Sequence, residues 1–210
     1  MIWFTSDPHY FHKNIIKYEN RPFDSVEEMN ETMINNWNSV VDPKDTVYLL
    51  GDFAFVNKRH ELEGIVRKLN GHVHWIRGNH DKIKNVKGFA WEGTYQEVSY
   101  DGGSEGKGKW KFVLSHYPFA SWNRMHHGSI HCYGHTHGNM PDLSQLIKKY
   151  AGVDVRTPEL LSFDVGVDCF DFFPVSIDRI VEMAKERMAR NEEFFSKKFR
   201  SDDHGGDDTI

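Results

Sequence analysis

The sequence predicts an α/β fold, because short apolar runs alternate with segments of helical periodicity over the first half of the chain. The predicted strands are 2–6, 46–50 and 73–77, and the predicted helices between them are 25–40 and 59–70. Alternation of strand and helix is typical of parallel β-α-β units. Because reactive groups gather at the carboxyl ends of such strands, we expect Asp7, Asp52 and Asn79 to share one site.

The two predicted helices rest on spacing and on a start signal. Ser25 is followed three residues later by Glu28, which is the capping-box pattern that opens a helix. Apolar side chains then recur at helical offsets in both segments, at Val26, Met29, Met33 and Trp37 in the first and at Leu62, Ile65, Val66 and Leu69 in the second. This period predicts one buried face on each helix.

The second half of the chain has a different pattern. Strands are predicted at 94–100, 110–115, 130–133, 163–167 and 174–177, and helices near 142–150 and at 178–198. The glycine-rich segment 101–108 predicts a mobile hairpin loop. The polar segment 138–161 is interpreted as an insertion or lid.

Composition limits the class of protein. The chain has 210 residues, 39% of them hydrophobic, and predicts one domain over 1–200 followed by a disordered tail over 201–210. No run approaches the roughly 18 apolar residues of a membrane span, and the N-terminus reads as a strand instead of a signal peptide. We therefore expect a cytoplasmic protein that makes no membrane contact and is a monomer or homodimer.

Charge and cysteine content add two expectations. The net charge of −5 disfavours a stable nucleic-acid complex, because nucleic-acid-binding domains usually carry basic clusters. The two cysteines, Cys132 and Cys169, are predicted to be small buried side chains, with a disulfide between them as the alternative.

Five short segments, each ending or following an apolar run, carry metal-ligating side chains. They are Asp7-Pro8-His9, Gly51-Asp52, Gly78-Asn79-His80-Asp81, His116 and Gly134-His135-Thr136-His137. They offer two carboxylates, one amide oxygen and four imidazoles, a set that suits two divalent cations of intermediate softness. Two cations about 3.5–4 Å apart can hold a phosphate ester and activate a water to attack it.

The ligands divide into two groups that share one carboxylate. We assign Asp7, His9 and His137 to one cation, Asn79, His116 and His135 to the other, and Asp52 to a bridge between them. A carboxylate is the natural bridge, because each of its oxygens can face one cation. With only two carboxylates the loaded site stays positive, and it therefore attracts a phosphate anion.

Residues beside the ligands are candidates for catalysis and substrate binding. His80 is expected to donate a proton to the leaving group, and Asp81 to orient its ring. The predicted substrate contacts are His12, Asn14 and Arg21.

Each segment alone has a simpler explanation. Asp7-Pro8-His9 could be a turn, Gly51-Asp52 an ordinary strand end, and Gly78-Asn79 a hydrophilic loop that needs a positive φ angle. His116 could be a hydrogen-bonded core histidine. Five separate segments in which ligands follow apolar runs favour the metal site over five independent coincidences.

Taken together and in this order, these segments resemble the motifs of the calcineurin-like metallophosphoesterase superfamily. The resemblance spans roughly residues 2–137. It implies a four-layer αββα sandwich of two mixed β-sheets flanked by helices, metal-dependent phosphoester hydrolysis, and the ligand roles assigned above. Pro8 and the long segment 138–161 depart from the commonest pattern, and the second of these puts the shape of the substrate pocket in question.

The predicted function is hydrolysis of phosphoester bonds in a small molecule or nucleotide, by a metal-bound hydroxide with assistance from His80. Two Mn²⁺ ions are the first choice of cofactor, with Fe, Zn²⁺ or Ni²⁺ as alternatives, because mixed nitrogen and oxygen ligands discriminate weakly. Two alternatives remain, a nuclease for short single-stranded nucleic acid and a non-catalytic metal-binding scaffold.

Overall fold

The structure is a computed structural model that describes residues 1–102, 109–141, 143–152 and 157–202. Most of the predicted hairpin loop 101–108, parts of the predicted lid 138–161 and all of the predicted tail after residue 202 lie outside the described residues.

Nine strands and five helices are described. The strands are β1 (Ile2–Thr5), β2 (Thr46–Leu49), β3 (His72–Ile76), β4 (Trp91–Gly93), β5 (Tyr95–Tyr100), β6 (Trp110–Ser115), β7 (Ile130–Tyr133), β8 (Ser162–Asp164) and β9 (Val175–Ser176). The helices are α1 (Lys13–Tyr18), α2 (Val26–Val40), α3 (Arg59–Val66), α4 (Leu143–Ala151) and α5 (Ile177–Asp202).

The strands form two mixed sheets. The first has the order β4-β3-β2-β1-β9, in which β1 to β4 are parallel and β9 is antiparallel to β1. The second has the order β5-β6-β7-β8, in which β5 and β6 are antiparallel and the other pairs are parallel. The predicted parallel β-α-β units are therefore confirmed in the first sheet.

Two hydrophobic clusters cover the two faces of the first sheet. Alternation along β2 shows the division, because Val47 and Leu49 belong to the cluster shared with α2 and α3, whereas Tyr48 and Leu50 belong to the other. That other cluster also holds Phe112 from β6, Cys132 from β7 and residues of α5. The two sheets thus pack face to face, as expected for the sandwich. Helices α2 and α3 cover the outer face of the first sheet, whereas α5 packs into the cluster between the sheets.

The start of α2 has the predicted Ser25 cap, but Glu28 pairs with the amide of Asp24 and not with that of Ser25, as a regular capping box would require. The Glu28 amide donates to Ser25 Oγ at 3.1 Å, and the Asp24 amide donates to a Glu28 carboxylate oxygen at 2.8 Å. Met29, Met33 and Trp37 are buried on one face of the helix. The helix therefore forms where the spacing predicted it.

Some local details differ from the sequence prediction. Helix α1 and strand β4 were not predicted, because six and three residues are too few for a clear period. Helix α3 ends at Val66, before the predicted end at residue 70. Leu69 is still buried, but it lies in the turn that follows the helix. Cys132 is buried but Cys169, in a one-turn 3-10 helix, is exposed, and both are free thiols. The prediction for Cys169 and the disulfide alternative are therefore wrong.

No described helix combines the length and the apolar character that crossing a membrane requires.

Candidate dinuclear metal centre

The carboxyl ends of five strands supply the predicted ligands. Asp7 and His9 follow β1, Asp52 follows β2, Asn79 follows β3, His116 follows β6, and His135 and His137 follow β7. The first four lie after strands of the first sheet and the last three after strands of the second. The site is therefore built where the ends of the two sheets meet.

Six of these side chains form two groups of potential ligands. Asp7, His9 and His137 form one, and Asp52, His116 and His135 form the other. Within each group the ligand atoms lie within 4.8 Å of one another. This grouping agrees with the division into two cation sites that the sequence predicted, with Asp52 placed beside the second group.

Asp52 lies between the two groups. Its Oδ2 atom is 3.7 Å from His9 Nε2 and 3.5 Å from His116 Nε2, and the residue is only 2% exposed. Its Oδ1 atom accepts the His80 amide at 2.9 Å. One carboxylate oxygen thus faces a ligand nitrogen of each group, which is the placement that a bridging carboxylate requires.

Asn79 joins the second group through its side-chain oxygen. Asn79 Oδ1 is 3.0 Å from His116 Nε2. The amide is exposed at the mouth of the site, so it can supply a neutral oxygen ligand from the solvent side.

Two buried polar atoms in the first group have no hydrogen-bond partner. They are Asp7 Oδ1 and His9 Nε2, and their residues are 0% and 3% exposed. Leaving a buried acceptor unsatisfied is costly, and nearly all such atoms in folded proteins are paired. A cation between them would satisfy both, so the residues present fit a metal ion.

Partners outside the site fix two of the imidazole rings. His116 Nδ1 lies 2.8 Å from the Leu50 carbonyl oxygen, and His137 Nδ1 lies 2.7 Å from Asp168 Oδ2. In each ring the Nδ1 proton is directed to an acceptor, which leaves Nε2 deprotonated and available for a cation. Such outer partners orient histidine ligands in many metal sites.

Asp168 is the most important residue that the sequence analysis missed. Its two carboxylate oxygens each accept a hydrogen bond of 2.8 Å from the Arg21 guanidinium, besides the contact with His137. Burial opposes ionisation, but these hydrogen bonds hold the pKa of Asp168 below its usual value. It follows Val165-Gly166-Val167, so the signal that marked Asp7 and Asp52 (an acid after an apolar run) could have found it.

Arg21 does not have the predicted role of a phosphate contact. The residue is 4% exposed, and its remaining hydrogen bonds go to the carbonyl oxygens of Asp7 and Pro8 at 2.8 and 3.0 Å. The guanidinium thus lies beneath the loop that carries Asp7 and His9, where it holds the backbone, and it does not face the cleft. Burial of a cation demands such partners, and Asp168 supplies the charge.

Asp81 does not orient the His80 ring, as the sequence analysis expected. Its carboxylate accepts three backbone hydrogen bonds, from Asp52 and Gly78 at 2.8 Å and from Phe53 at 2.9 Å. Burial raises the pKa of Asp81 to about 6 in spite of these donors. Asp81 therefore ties the loop after β3 to the loop after β2 and fixes the backbone of the bridging Asp52.

The other candidates lie at the rim of the site. His80 is exposed, with Nε2 at 3.9 Å from Asp52 Oδ2. His12 is half-buried, and its Nδ1 is 3.3 Å from Nδ1 of His9. Asn14 is exposed on α1. The structure thus brings His80 and His12 against the ligands.

The ligand loops adopt strained backbone conformations. Five of the predicted ligands have positive φ angles, namely Asp7 (56°), His9 (51°), Asp52 (48°), His135 (70°) and His137 (48°). Residues other than glycine adopt this region at a cost of about 1–3 kcal/mol each, and such residues cluster at functional sites. The strain is therefore concentrated where the ligands are.

Close packing requires glycine in these loops, as Gly134 and Gly51 show. A Cβ atom at Gly134 would lie 1.9 Å from Ser6 Oγ and 2.3 Å from Asp7 Oδ2. At Gly51, which has a φ angle of +102°, it would lie 2.4 Å from His116 Nδ1. These glycines let the loops approach closely enough for ligands of both sheets to meet.

Burial controls protonation in the first group. It raises the pKa of Asp7 to about 8 and lowers the pKa of His9 to about 2. The pKa of His116 is also lowered, mainly by burial. Burial thus favours the neutral, cation-binding form of His9 and His116. Burial also opposes the charge of His137, but its hydrogen bond to Asp168 and the nearby carboxylates outweigh burial and raise its pKa instead. Asp7 keeps its proton until a positive charge arrives.

The arrangement is a candidate metal-binding site at one end of an α/β sandwich, and comparisons with known proteins agree with it. The family model described as calcineurin-like phosphoesterase matches residues 1–139. The chain belongs to the calcineurin-like phosphoesterase family, which implies a phosphoester substrate and a metal-dependent reaction.

The relatives found are themselves without an assigned activity. The chain is 38% identical over 186 residues to the uncharacterized protein MJ1445 of Methanocaldococcus jannaschii, which covers 88% of this chain and 92% of that protein. It is 30% identical over 164 residues to the gene 66 protein of Mycobacterium phage L5, covering 66% of this chain and 78% of that protein.

A solved structure shares the fold. The protein of unknown function AQ665 from Aquifex aeolicus superposes with a TM-score of 0.61 at 25% sequence identity, covering 87% of this chain and 98% of that chain.

The metal-free protein should lose stability as the pH rises from 6.5 to 8.5. Asp7 keeps its proton in the folded protein up to about pH 8, whereas in the unfolded chain it ionises near pH 3.8, so the unfolded state binds fewer protons and is favoured as the pH rises. With a chelator present, we expect the melting temperature to fall by about 4 °C or more over this interval.

Two controls accompany this measurement. Asp7→Asn cannot ionise and should give a shallower profile, in which the slope that remains above pH 6.5 comes from His137, whose pKa is raised in the folded protein. Saturating Mn²⁺ at pH 8.5 should raise the melting temperature of the natural protein more than that of the variant. A chelated natural protein as stable at pH 8.5 as at pH 6.5 would contradict the burial of an uncompensated Asp7.

Asp168→Asn should weaken binding of one cation selectively. The variant keeps the shape of the side chain but removes the charge that orients His137, and loss of such an outer partner costs about 10–100-fold in metal affinity. Calorimetric titration should show one weakened site and one unchanged site. Asp171→Asn, an exposed acid three residues away, is the matched control.

If Asp168→Asn fails to fold because Arg21 is left unpaired, the double variant Arg21→Met with Asp168→Asn removes both charges together. Two sites of unchanged affinity in a folded variant would contradict the orienting role of Asp168.

Proposed function

We propose that this chain hydrolyses phosphoester bonds with a dinuclear metal centre held by Asp7, His9 and His137 on one side and by Asn79, His116 and His135 on the other. The observation that supports it is the position of Asp52. Its Oδ2 atom lies within 3.7 Å of a ligand nitrogen in each group, so the two groups are close enough to share one carboxylate.

When bound, two divalent cations supply an activated water and hold the oxygens of the phosphoryl group. The chain's own residues set the charge of the centre. Asp7 and Asp52 are the only carboxylates among the proposed ligands, and the other five are neutral side chains. The loaded site therefore stays positive toward an anionic ester.

His80 assists the leaving group. Its ring is exposed at the rim and lies beside Asp52. Its amide donates to Asp52 Oδ1 at 2.9 Å, which fixes the backbone from which the ring projects. In this position the imidazolium can donate a proton to the leaving oxygen. Asp81 contributes by holding the loop, not by contact with the His80 ring.

Mn²⁺ remains the first choice of metal, with Fe, Zn²⁺ and Ni²⁺ as alternatives, because the ligands combine imidazole nitrogens with carboxylate and amide oxygens. The substrate is proposed to be a small molecule or nucleotide. A cytoplasmic location and a monomeric or homodimeric state stay predictions from the sequence.

Asp52→Asn and His116→Ala should each abolish hydrolysis. Both variants are expected to lower Mn²⁺-dependent turnover of p-nitrophenyl phosphate or its bis-aryl diester by about 10³-fold or more. The reason is that each removes a ligand of the cations that would bind the nucleophile and the phosphoryl oxygens. Circular dichroism should show that both variants remain folded. Full activity in both, or no activity of the natural protein with any of the four metals, would reject the proposed function.

His80→Asn should lower kcat while leaving metal content unchanged. Loss of a general acid typically costs about 10²–10⁴-fold in rate, and the asparagine keeps the loop polar. The matched control is His60→Asn, which changes an exposed histidine on α3. The effect should be smaller for a p-nitrophenolate leaving group than for an alkyl alcohol, because the first needs less protonation. Equal losses with both would contradict the role as proton donor.

A further inference from the structure

Two phenylalanines beside the metal centre are exposed. Phe11 is 47% exposed and Phe55 is 51% exposed, and they are the only exposed phenylalanines among the side chains that the structure describes. Single exposed apolar side chains are common on protein surfaces. These two, however, line one cavity of about 330 Å³, together with Val56, Asn57, Lys58 and Glu61. We call these six residues the aromatic pocket.

The aromatic pocket lies beside the metal centre, and the Phe55 ring is the contact between them. The Phe55 ring stacks on the His12 ring, with centroids 4.4 Å apart and planes inclined by 16°. His12 in turn lies 5.3 Å from the ring of His9, a proposed ligand. The Phe55 centroid is also 5.9 Å from that of His80. The pocket is therefore separated from the proposed ligands by no more than the rings of Phe55, His12 and His80.

Backbone pairing holds the two rings in place. Tyr10 and Ala54 form a parallel bridge, in which the Tyr10 amide donates to the Phe53 carbonyl at 3.0 Å and the Phe55 amide donates to the Tyr10 carbonyl at 2.8 Å. Phe11 has a φ angle of 64°, a left-handed conformation that is unfavourable for a bulky side chain. The Phe11 amide also donates to Asn30 Oδ1 at 3.0 Å. The loops therefore hold both aromatic residues next to each other, at a cost in strain.

The chemistry of the walls suits a flat aromatic ligand. The Phe55 ring has one face covered by His12, so its opposite face and the Phe11 ring are the aromatic surfaces left for a ligand. Asn57, Lys58 and Glu61 offer donors and acceptors around them. A nucleobase has the same character, with an apolar π face and a polar edge, and bases stack on exposed aromatic side chains. A simple alkyl chain would leave the polar rim without a partner.

We infer that the substrate is a nucleoside phosphoester whose base stacks on Phe55 in the aromatic pocket while its phosphate lies at the metal centre. This inference rests on the proposed function and names the substrate class of that same site. Base binding then contributes to affinity and leaves the hydrolytic step to the metal ligands and His80.

The test compares esters that differ only by the base. Adenosine 5′-monophosphate is paired with ribose 5-phosphate, and the methyl diesters of both compounds form a second pair, so that either a monoesterase or a diesterase can be assayed. With Mn²⁺ present, kcat/KM should be higher for the adenosine compound of the hydrolysed pair. Phe55→Ala should lower kcat/KM for the adenosine compound by about 10-fold or more, mainly by raising KM. The same substitution should leave kcat/KM for the ribose compound unchanged.

Two further variants sharpen the comparison. Phe55→Trp keeps a stacking surface and should retain the preference for the base. Tyr150→Ala removes an aromatic side chain that is 76% exposed on α4, outside the pocket, and should change neither ester. Phe11→Ala should act in the same direction as Phe55→Ala.

The contrary outcomes separate the two proposals. Equal kcat/KM for the two members of a pair, in a protein that does hydrolyse p-nitrophenyl esters, would overturn the base pocket and leave the phosphoesterase intact. Equal losses for both members in Phe55→Ala would also overturn it, since Phe55 would then only support His12. Failure to hydrolyse any ester would reject the phosphoesterase and the base pocket with it.

Discussion

The pairing of β1 with β2 does not stop where the strands end, and the site depends on this continuation. The Asp7 amide donates to the Gly51 carbonyl at 3.0 Å, and the His9 amide donates to the Asp52 carbonyl at 3.1 Å. Two chain segments with positive φ angles thus run side by side, and their side chains turn toward the same point. Because the hydrogen bonds use the backbone, the carboxylates and imidazoles of these segments stay free for cations.

Buried charge is the main electrostatic problem of this site, and the surrounding residues solve it in two ways. Beneath the first group, Arg21 and Asp168 compensate each other and leave one carboxylate oxygen to orient His137. Within the group, burial raises the pKa of Asp7 to about 8, although the charge of His137 and the hydrogen bonds from Ser6 and His135 oppose the rise. The buried negative charge of an ionised Asp7 is therefore unfavourable until a cation compensates it, so metal binding should stabilise the folded state.

The convergence of the candidate metal ligands could be predicted from the sequence because each follows an apolar strand, and parallel strands of one sheet end at the same edge. Predicting these positions requires only local sequence patterns and the rule that neighbouring parallel strands end at the same edge of a sheet. The roles of Arg21, Asp81 and Asp168 could not be predicted in this way, since they depend on contacts across long stretches of chain, 147 residues for Arg21 and Asp168. Whether an arginine faces the cleft or the core is decided by packing, which leaves no periodic signal. The short elements α1 and β4 were missed for the same reason. Their conformation is determined by packing against neighbouring parts of the fold more than by the propensities of their own residues.

The division of the ligands between the sheets has a mechanical consequence. In the first group Asp7 and His9 come from one sheet and His137 from the other, and in the second group Asp52 comes from one sheet and His116 and His135 from the other. Each ion would therefore connect the two sheets. The ion of the first group would close a loop of about 130 residues between His9 and His137, in the way that a long-range disulfide does. Relative movement of the two sheets at this end would require the ions to dissociate first. Cation binding is therefore expected to make the domain more rigid.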